Sequence, residues 1–392
     1  MNICDRNKCT ACYTCYNICP KNCISFNTDE FGIDFPVIDN KKCIECNLCV
    51  KTCPANNKSS FNNPKNAYAT WSLDDEDRKT SASGGLASVL YNQIISEGGI
   101  AYGVCMDNDF NLNFKRAINK EELRKFKGSK YVHASVNESF MKVKKDLKNN
   151  KEVLFIGTPC QIDGLKFYLG KDYENLYTAD LICHGTPPIT YLKEYIDAIK
   201  KEENINPNKI LFREDNEFNF VLCKDSIENR LHSKSGLYDE YIQGFLSALF
   251  YRECCYSCKY ATGKRVSDIT IGDFWGLGLK EPFNHPYTGS ISLALVNTDK
   301  GQGILNRSED KLFIEKRNLE EAIEGNAQLK HPSKCHEKHN LFKQLYKKNG
   351  FTKAVNECIQ HELKLGYKSY KKILLRRKLR HVAGVFIKRY RN

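Results

Sequence analysis

The sequence predicts an α/β core built on a mostly parallel or mixed sheet. A small α+β cysteine-rich domain precedes it, and a helical basic tail follows. Three observations carry this reading. Apolar strand-like runs at 100–105, 152–156, 177–182, 268–272 and 291–296 alternate with amphipathic stretches at 85–97, 138–149, 188–202 and 238–250, the pattern of a sheet covered by helices. Ten of the 19 cysteines fall within the first 53 positions. Residues 368–392 hold ten Lys or Arg and no acid, in a chain whose formal net charge is +13. With 392 residues, 41% of them hydrophobic, the chain is long enough for two or three domains. The expected domains are 1–60, 65–340 and 341–392, with the polar, turn-rich stretch 56–66 as a linker between the first two. Residues 310–361 read as a mixed strand-and-helix segment ahead of the tail.

The cysteine surplus does not describe a disulfide scaffold, which belongs to short secreted chains. The sequence opens Met-Asn-Ile-Cys-Asp-Arg, without the apolar segment of a secretory leader, and no apolar run approaches a membrane span. A cytoplasmic protein with metal-held thiolates is expected. Two runs share one spacing, Cys9-x2-Cys12-x2-Cys15-x3-Cys19-Pro20 and Cys43-x2-Cys46-x2-Cys49-x3-Cys53-Pro54. In this bacterial iron–sulfur pattern the fourth cysteine of each run ligates the other run's cluster. Cluster I then takes Cys9, Cys12, Cys15 and Cys53, and cluster II takes Cys43, Cys46, Cys49 and Cys19. Zinc sites more often separate two CxxC pairs by a longer spacer. Residues 1–60 resemble the two-cluster bacterial ferredoxins, which pass single electrons. Cys4 and Cys23 lie outside the pattern and are expected to be spare buried thiols.

Four further cysteines suggest a third 4Fe-4S site. Cys160 lies where a strand ends and a helix begins, and Cys183 directly follows another strand. Open α/β sheets place their ligand crevices at such strand ends, and a helix start favours a thiolate. Cys255 and Cys258 form a CxxC, and Cys255 is chosen over Cys254 for that spacing. Each thiol also has a plainer reading: a small buried residue, a reactive thiol at Cys160, or a redox dithiol at Cys255 and Cys258. Cys105, Cys223, Cys335 and Cys358 are assigned to packing.

The strings Ser83-Gly84-Gly85, Lys127-Gly128-Ser129-Lys130-Tyr131-Val132, Gly157-Thr158-Pro159-Cys160-Gln161, Ile182-Cys183-His184-Gly185 and Ile271-Gly272-Asp273-Phe274-Trp275-Gly276 occur in that order. Over roughly residues 65–300 the chain is similar to the coenzyme F420 hydrogenase/dehydrogenase beta-subunit family. That resemblance implies FAD on a flavin-binding α/β core beside a 4Fe-4S cluster, and favours Cys160, Cys183, Cys255 and Cys258 as its ligands. For the flavin, Ser83, Gly84 and Gly85 open a helix whose backbone N–H groups suit phosphate, although an ordinary N-cap reads the same way. Gly128, Ser129, Lys130 and Tyr131 combine a cation, a hydroxyl and an aromatic ring, or form a surface turn. Asp273 could bond a ribose or flavin edge, or cap its turn. Trp275 could stack on a ring, or belong to the core. His184 is a proton-donor candidate or a structural residue, and no catalytic residue is assigned. No GxGxxG dinucleotide fingerprint follows any expected strand.

In the tail, Leu375, Leu379, Val382, Ala383, Phe386, Ile387 and Tyr390 recur at helical spacing among the basic residues. Such a helix suits an anionic membrane surface or an acidic partner, and equally a helix docked on the body with its basic face solvated. Peripheral contact with the inner membrane surface is one expectation, and no nucleic-acid motif accompanies the charge. The leading functional reading is an oxidoreductase that takes single electrons from a ferredoxin-type donor or redox partner, through 4Fe-4S clusters, to FAD and an unidentified small-molecule substrate. The alternative is an electron-transfer subunit that relays electrons to a partner enzyme.

Overall fold

The structure is a computed structural model that describes residues 2–214 and 217–389, with side chains described as far as Arg376. Its strands, numbered along the chain, are β1 (Ile24–Thr28), β2 (Asp34–Ile38), β3 (Asn66–Ser72), β4 (Ile100–Met106), β5 (Leu112–Ala117), β6 (Val153–Gly157) and β7 (Leu176–Leu181). They continue with β8 (Lys209–Glu214), β9 (Glu217–Cys223), β10 (Arg230–Ser235), β11 (Ile269–Asp273), β12 (Ser292–Val296) and β13 (Leu312–Arg317). The chain divides into two compact units, Met1–Thr190 with Tyr251–Cys335, and Tyr191–Phe250 with His336–Asn392.

The first unit is built on an eight-stranded sheet in the order β13-β3-β12-β11-β7-β6-β4-β5. Neighbours β4, β6, β7 and β11 are parallel. β12 is antiparallel to both β11 and β3, so β3 runs in the same sense as β11. The edge strands β5 and β13 are antiparallel to their neighbours, which makes the sheet mixed. The five co-directional strands therefore bring their carboxyl ends, after Ser72, Met106, Gly157, Leu181 and Asp273, to one edge. Inner strands such as Ser-Leu-Ala-Leu-Val of β12 are apolar throughout because both faces are covered. Ala294 and Val296 pack with Leu86, Leu90 and Ile304 on one face. Leu293 and Leu295 pack with Trp71, Ala322 and Leu329 on the other.

Every strand and helix expected in the core is present within a residue or two, except the helix expected at 238–250. That helix covers only Glu240–Leu246, because Ala248 takes a left-handed backbone (φ 55°) that the helix cannot continue through. The expected linker is tied down. Ser59 is buried and donates to Asp163 (2.5 Å), while Asn62 and Arg265 exchange backbone hydrogen bonds (2.7 and 2.8 Å). β3 and β5 were not foreseen as strands, and β13 only within the mixed segment 310–361: charged residues blur the alternation in β5 and β13, and β3 follows directly on the polar stretch read as a linker.

The cysteine-rich segment forms the hairpin β1–β2 and two short helices, Thr14–Ile18 and Leu48–Lys51. It packs on the helix Pro159–Leu169. Gly164 leaves the space: a Cβ there would lie 2.8 Å from Thr14 Oγ1 and 2.9 Å from Cys12 Cβ. Thr14 donates to the Gly164 carbonyl (2.9 Å), and Asn17 donates to that of Asn137 (2.7 Å).

The second unit holds the antiparallel sheet β10-β9-β8 and the helices Glu240–Leu246, His339–Asn349 and Phe351–Arg389. Its core is aromatic: Tyr191, Tyr195, Phe220, Tyr241, Phe250 and Phe351 contact one another through their rings. The long final helix kinks at Ile359 and passes so close to the Leu237 carbonyl that only glycine fits at 366. The tail expected to be helical is helical through Arg389. The side chains of Leu379, Val382, Ala383, Phe386 and Ile387, and all of Tyr390, lie outside the described residues.

The core contains a fully buried ion pair, Arg265 Nη2 to Asp180 Oδ1 at 2.8 Å. The guanidinium also donates to Thr270 and to the carbonyls of Tyr260 and Thr262. Arg265→Met would strand a buried carboxylate, so urea unfolding is expected to show a loss of about 3–5 kcal/mol.

Candidate functional site

Two small cavities in the N-terminal segment are walled by thiols. The first is lined by Cys4, Cys9, Cys12, Cys15 and Cys53, the second by Cys19, Cys23, Cys43, Cys46 and Cys49. Each therefore gathers the first three cysteines of one run and the fourth of the other. Their empty volumes are nearly equal, about 330 and 340 Å³ including the space at their mouths. Both runs turn in the same way. The residue two after the first cysteine and the residue after the second have left-handed backbones, at Ala11 (φ 48°) and Tyr13 (64°), and again at Glu45 (54°) and Asn47 (60°). These turns point backbone amides at sulfur: Glu45 N–H donates to Cys43 Sγ (3.4 Å), and Ala11 N–H lies equivalently on Cys9. Amides aimed at thiolates fit an anionic cluster held at its corners. A lone zinc would draw its sulfurs to about 2.3 Å from one point. Among the described residues no group of His, Cys, Asp or Glu is arranged to hold a single ion.

Cys4 and Cys23 pack in the apolar core of the segment, and each also lines one of the cavities. Cys4 donates to Cys53 and Cys9, which is the chief reason the Cys9 thiol is lowered to about 6. Cys23 Sγ lies 3.3 Å from Cys19 Sγ. Of the cysteines assigned to packing, Cys223 and Cys358 are fully buried, Cys105 is half-buried, and Cys335 is exposed.

A third group of thiols lies at the carboxyl edge of the sheet. Thr158 caps the helix Pro159–Leu169 in a reciprocal box with Gln161, which sets Cys160 in its first turn, 3.2 Å from Thr158 Oγ1. Burial pushes the Cys160 thiol well above the usual range, with Cys183, Cys258 and Cys254 adding to the rise. Burial likewise takes Cys183 to about 12, with Cys258 and Cys254 again contributing. Cys254 also acts on Cys258. Cys254 thus acts on all three of these thiols, and Cys255, which the CxxC spacing suggests, lies beside it and shares a side-chain hydrogen bond with it. Chain 251–256 is stitched to chain 183–186 by the bond from Arg252 N–H to the Thr186 carbonyl (3.2 Å), and Thr186 N–H donates to Cys255 Sγ (3.5 Å). Gly185 (φ 140°) is required here, because the Tyr251 ring lies directly over its Cα.

The third group adjoins the first cavity. Gly164, which packs against Cys12, is one helical turn from Cys160 on the same face. Tyr260 lies within reach of the charges of both Cys12 and Cys160, and its hydroxyl donates to Asp163 (2.7 Å). His133 is buried, and its Nε2 bonds the Thr10 carbonyl (3.2 Å), so that nitrogen carries the proton. Burial, with Arg252 nearby, lowers it to about 3, so it stays neutral.

The residues expected to bind flavin are brought to the same sheet edge, in part through unexpected contacts. Ser72 N–H donates to the Gly84 carbonyl at the end of β3 (2.7 Å), and Ser83 Oγ accepts from Ser292 Oγ (3.2 Å), with Ser292 paired to Asp273 across β11–β12. The anion at the start of the helix Leu86–Ser96 is the Asp77 carboxylate, which accepts from Ser88 Oγ (2.7 Å) and pairs with Lys127 (2.6 Å). Lys127 also donates to Thr80 (2.6 Å), so the strings around 80–85 and 127–132 meet through a residue to which the sequence pattern gives no role. Lys130 turns inward. Its ammonium donates to the carbonyls of Phe126, Lys127 and Gly128 (2.9–3.0 Å), and burial lowers it to about 8. These bonds hold its own turn in shape. Gly128 (φ 80°) is exposed with open space around it, and Ser129 and Tyr131 are half-buried. Trp275 is 57% exposed, which removes it from the core. His184 is lowered by burial, with Asp273 opposing, and its carbonyl accepts from Ser333 (2.6 Å).

Comparison with known proteins adds to this geometry. Residues 67–141 match the family description of the N-terminal part of the coenzyme F420 hydrogenase/dehydrogenase beta subunit, and residues 150–322 match that of its C-terminal part. Residues 8–57 match the 4Fe-4S dicluster domain. No curated protein sequence matches the chain. A structure of the xenon-derivatised F420-reducing [NiFe] hydrogenase complex from Methanosarcina barkeri aligns over 78% of this chain and 95% of its own, with a TM-score of 0.44 and 16% identity. With both halves of the family description matched in order around one mixed sheet, and a dicluster domain ahead of them, the chain belongs to the coenzyme F420 hydrogenase/dehydrogenase beta-subunit family.

Proposed function

We propose that this protein is an iron–sulfur flavoprotein oxidoreductase. In this reading electrons enter from a redox partner of ferredoxin type at the cluster held by Cys43, Cys46, Cys49 and Cys19, where Cys46 is exposed. They pass to the cluster held by Cys9, Cys12, Cys15 and Cys53, and then to a third cluster held by Cys160, Cys183, Cys254 and Cys258. The observation that carries the reading is the convergence of that third group at the carboxyl edge of the sheet, one helical turn from the wall of the first cavity. Iron–sulfur clusters move one electron at a time, whereas a flavin exchanges either one electron or a hydride. FAD at the same edge would link the relay to a two-electron substrate. Its surroundings would include Ser83, Gly84, Gly85, Gly128, Ser129, Tyr131 and Asp273, with Lys130 shaping the turn. A phosphate at the helix start would take the place of Asp77 beside Lys127. The substrate class is open, and coenzyme F420 itself is one candidate.

A second reading, a relay protein without its own substrate, is favoured by the family's membership in hydrogenase and dehydrogenase assemblies. Turnover separates the two: substrate-dependent reoxidation of flavin by the isolated chain supports the enzyme, and its absence in chain carrying full flavin supports the relay.

The tail supports a further proposal, peripheral contact with an anionic membrane. Among the described residues no helix is long and apolar enough to cross a membrane. Ile373, Leu374 and Leu375 are nevertheless exposed (36%, 37% and 59%) beside Lys371, Lys372 and Arg376. Sedimentation with phosphatidylserine vesicles is expected to fall at least ~10-fold when 368–392 is deleted. Unchanged binding would contradict the membrane role.

For the clusters, anaerobically reconstituted protein is expected to hold about twelve iron atoms per chain, as three 4Fe-4S centres require. Cys254→Ser is expected to lose about four of them, while Cys255→Ser keeps them all. About eight iron atoms with no bound flavin would contradict the proposed function.

A further inference from the structure

Three arginines in the first unit are almost completely buried. Arg265 is paired with Asp180, and Arg317 with Glu315 and Glu321. Arg252 is different. It is 2% exposed, and among the described residues it has no carboxylate at ion-pair distance. Its Nη2 donates to the backbone carbonyls of Asp34 (3.2 Å) and Cys9 (3.4 Å), its Nε has no acceptor, and a side-chain hydrogen bond joins it to Cys254. One wall beside it is the Phe35 ring, 5.9 Å away. The groups whose charges act on it are the thiols of Cys254, Cys9 and Cys255.

A guanidinium does not shed its proton in a protein. Left without a counter-charge in the interior it is strongly destabilising. The compensating charge must then come from whatever occupies the neighbouring thiol sites, and Arg252 stands between two of them. Cys9 belongs to the first cavity and Cys254 to the third group, and Arg252 reaches both from a single rotamer. A cluster held by four thiolates is anionic and becomes more so when it accepts an electron, so a fixed positive charge beside it favours the reduced state. The second cavity has no equivalent. Lys21, the cation in its lining, is exposed to water, where charge is screened.

We propose that Arg252 is the shared counter-charge of the centre at Cys9, Cys12, Cys15 and Cys53 and of the centre at Cys160, Cys183, Cys254 and Cys258, and that it raises the reduction potentials of both. The consequence is a relay with a built-in slope. The outer centre keeps the potential its exposed site confers, and the two inner centres are pulled together to higher potential, so an electron entering at the surface is drawn inward. Because one residue faces both inner centres, their potentials are tied to each other. The inference rests on the three-cluster reading above and is confined to residues of this chain.

The test is an EPR-monitored redox titration of the full, anaerobically reconstituted chain and two variants. Arg252→Gln removes the charge and, being shorter, gives up the reach to the Cys9 and Asp34 carbonyls, whereas Arg252→Lys keeps the charge but loses the planar fork. In R252Q the potentials of both inner centres are expected to move negative together while the outer centre stays put. In R252K all three are expected to remain at their wild-type values. Unshifted inner centres in R252Q, or an equal shift of all three, would overturn the proposal. R252K decides alone if R252Q cannot be loaded with iron: a negative shift of either inner centre would then overturn it. Iron content separates this from the underlying reading. Wild-type protein with only two centres sinks the third cluster, yet the potential of the centre at Cys9 still tests Arg252.

Discussion

The approach of Cys12 to Gly164 is the contact on which the arrangement of thiol sites depends. A side chain at 164 would collide with the cysteine and with Thr14, so the glycine is what lets the cysteine-rich segment seat on the helix that carries Cys160. That seat is reinforced by the bonds from Thr14 and Asn17 and by Lys259, which donates to the carbonyls of Pro54 and Asn57. It is closed from below by the exchange between Asn62 and Arg265. The segment is consequently one wall of the core and not a tethered accessory. Electron transfer between centres depends on their separation, and here the separation is set by packed backbone.

The same seating explains the concentration of buried polar groups in this region. Asp163 receives Ser59 and Tyr260, Asp180 receives Arg265, and His133 is held neutral against Thr10. Each joins a residue of the segment or its connection to a residue of the sheet or its helices, or braces one that does. Arg252 completes the set, with its charge directed at thiols where its neighbours use carboxylates. The hydrogen bonds these buried groups make are directional, so the interface specifies one geometry and resists sliding.

Much of this was legible in the sequence where the determinant is local. The doubled cysteine spacing anticipated which thiols share each cavity, because tight turns over three or four residues are a property of the run itself. The strands 100–105, 152–156 and 291–296 and their covering helices were legible for the same reason: hydrophobic period is written along one element. What remained hidden depends on residues far apart in the chain. Thr186, some seventy positions before Cys255, donates its N–H to that sulfur, and Cys254 next to it acts on Cys160, Cys183 and Cys258. Lys130 resembled a phosphate ligand by composition, yet its three donors go to carbonyls of its own turn, and Lys127 beside it makes the contact to Thr80. Cys4 and Cys23 fell outside the motif although they line the same cavities, and a search for thiols flanking each run by a few residues would have found them.

Membership in the coenzyme F420 hydrogenase/dehydrogenase beta-subunit family fits a chain organised around electron passage. The distinguishing feature is adjacency: the first cavity and the third group share a helix, a tyrosine and an arginine. Paramagnetic centres that close must sense one another. The most direct measurement is therefore the low-temperature EPR spectrum of fully reduced, reconstituted protein. About three spins per chain are predicted, with the broadened, split lines of interacting 4Fe-4S centres. About two spins, with a line shape unchanged by the Cys254→Ser substitution, would contradict that adjacency.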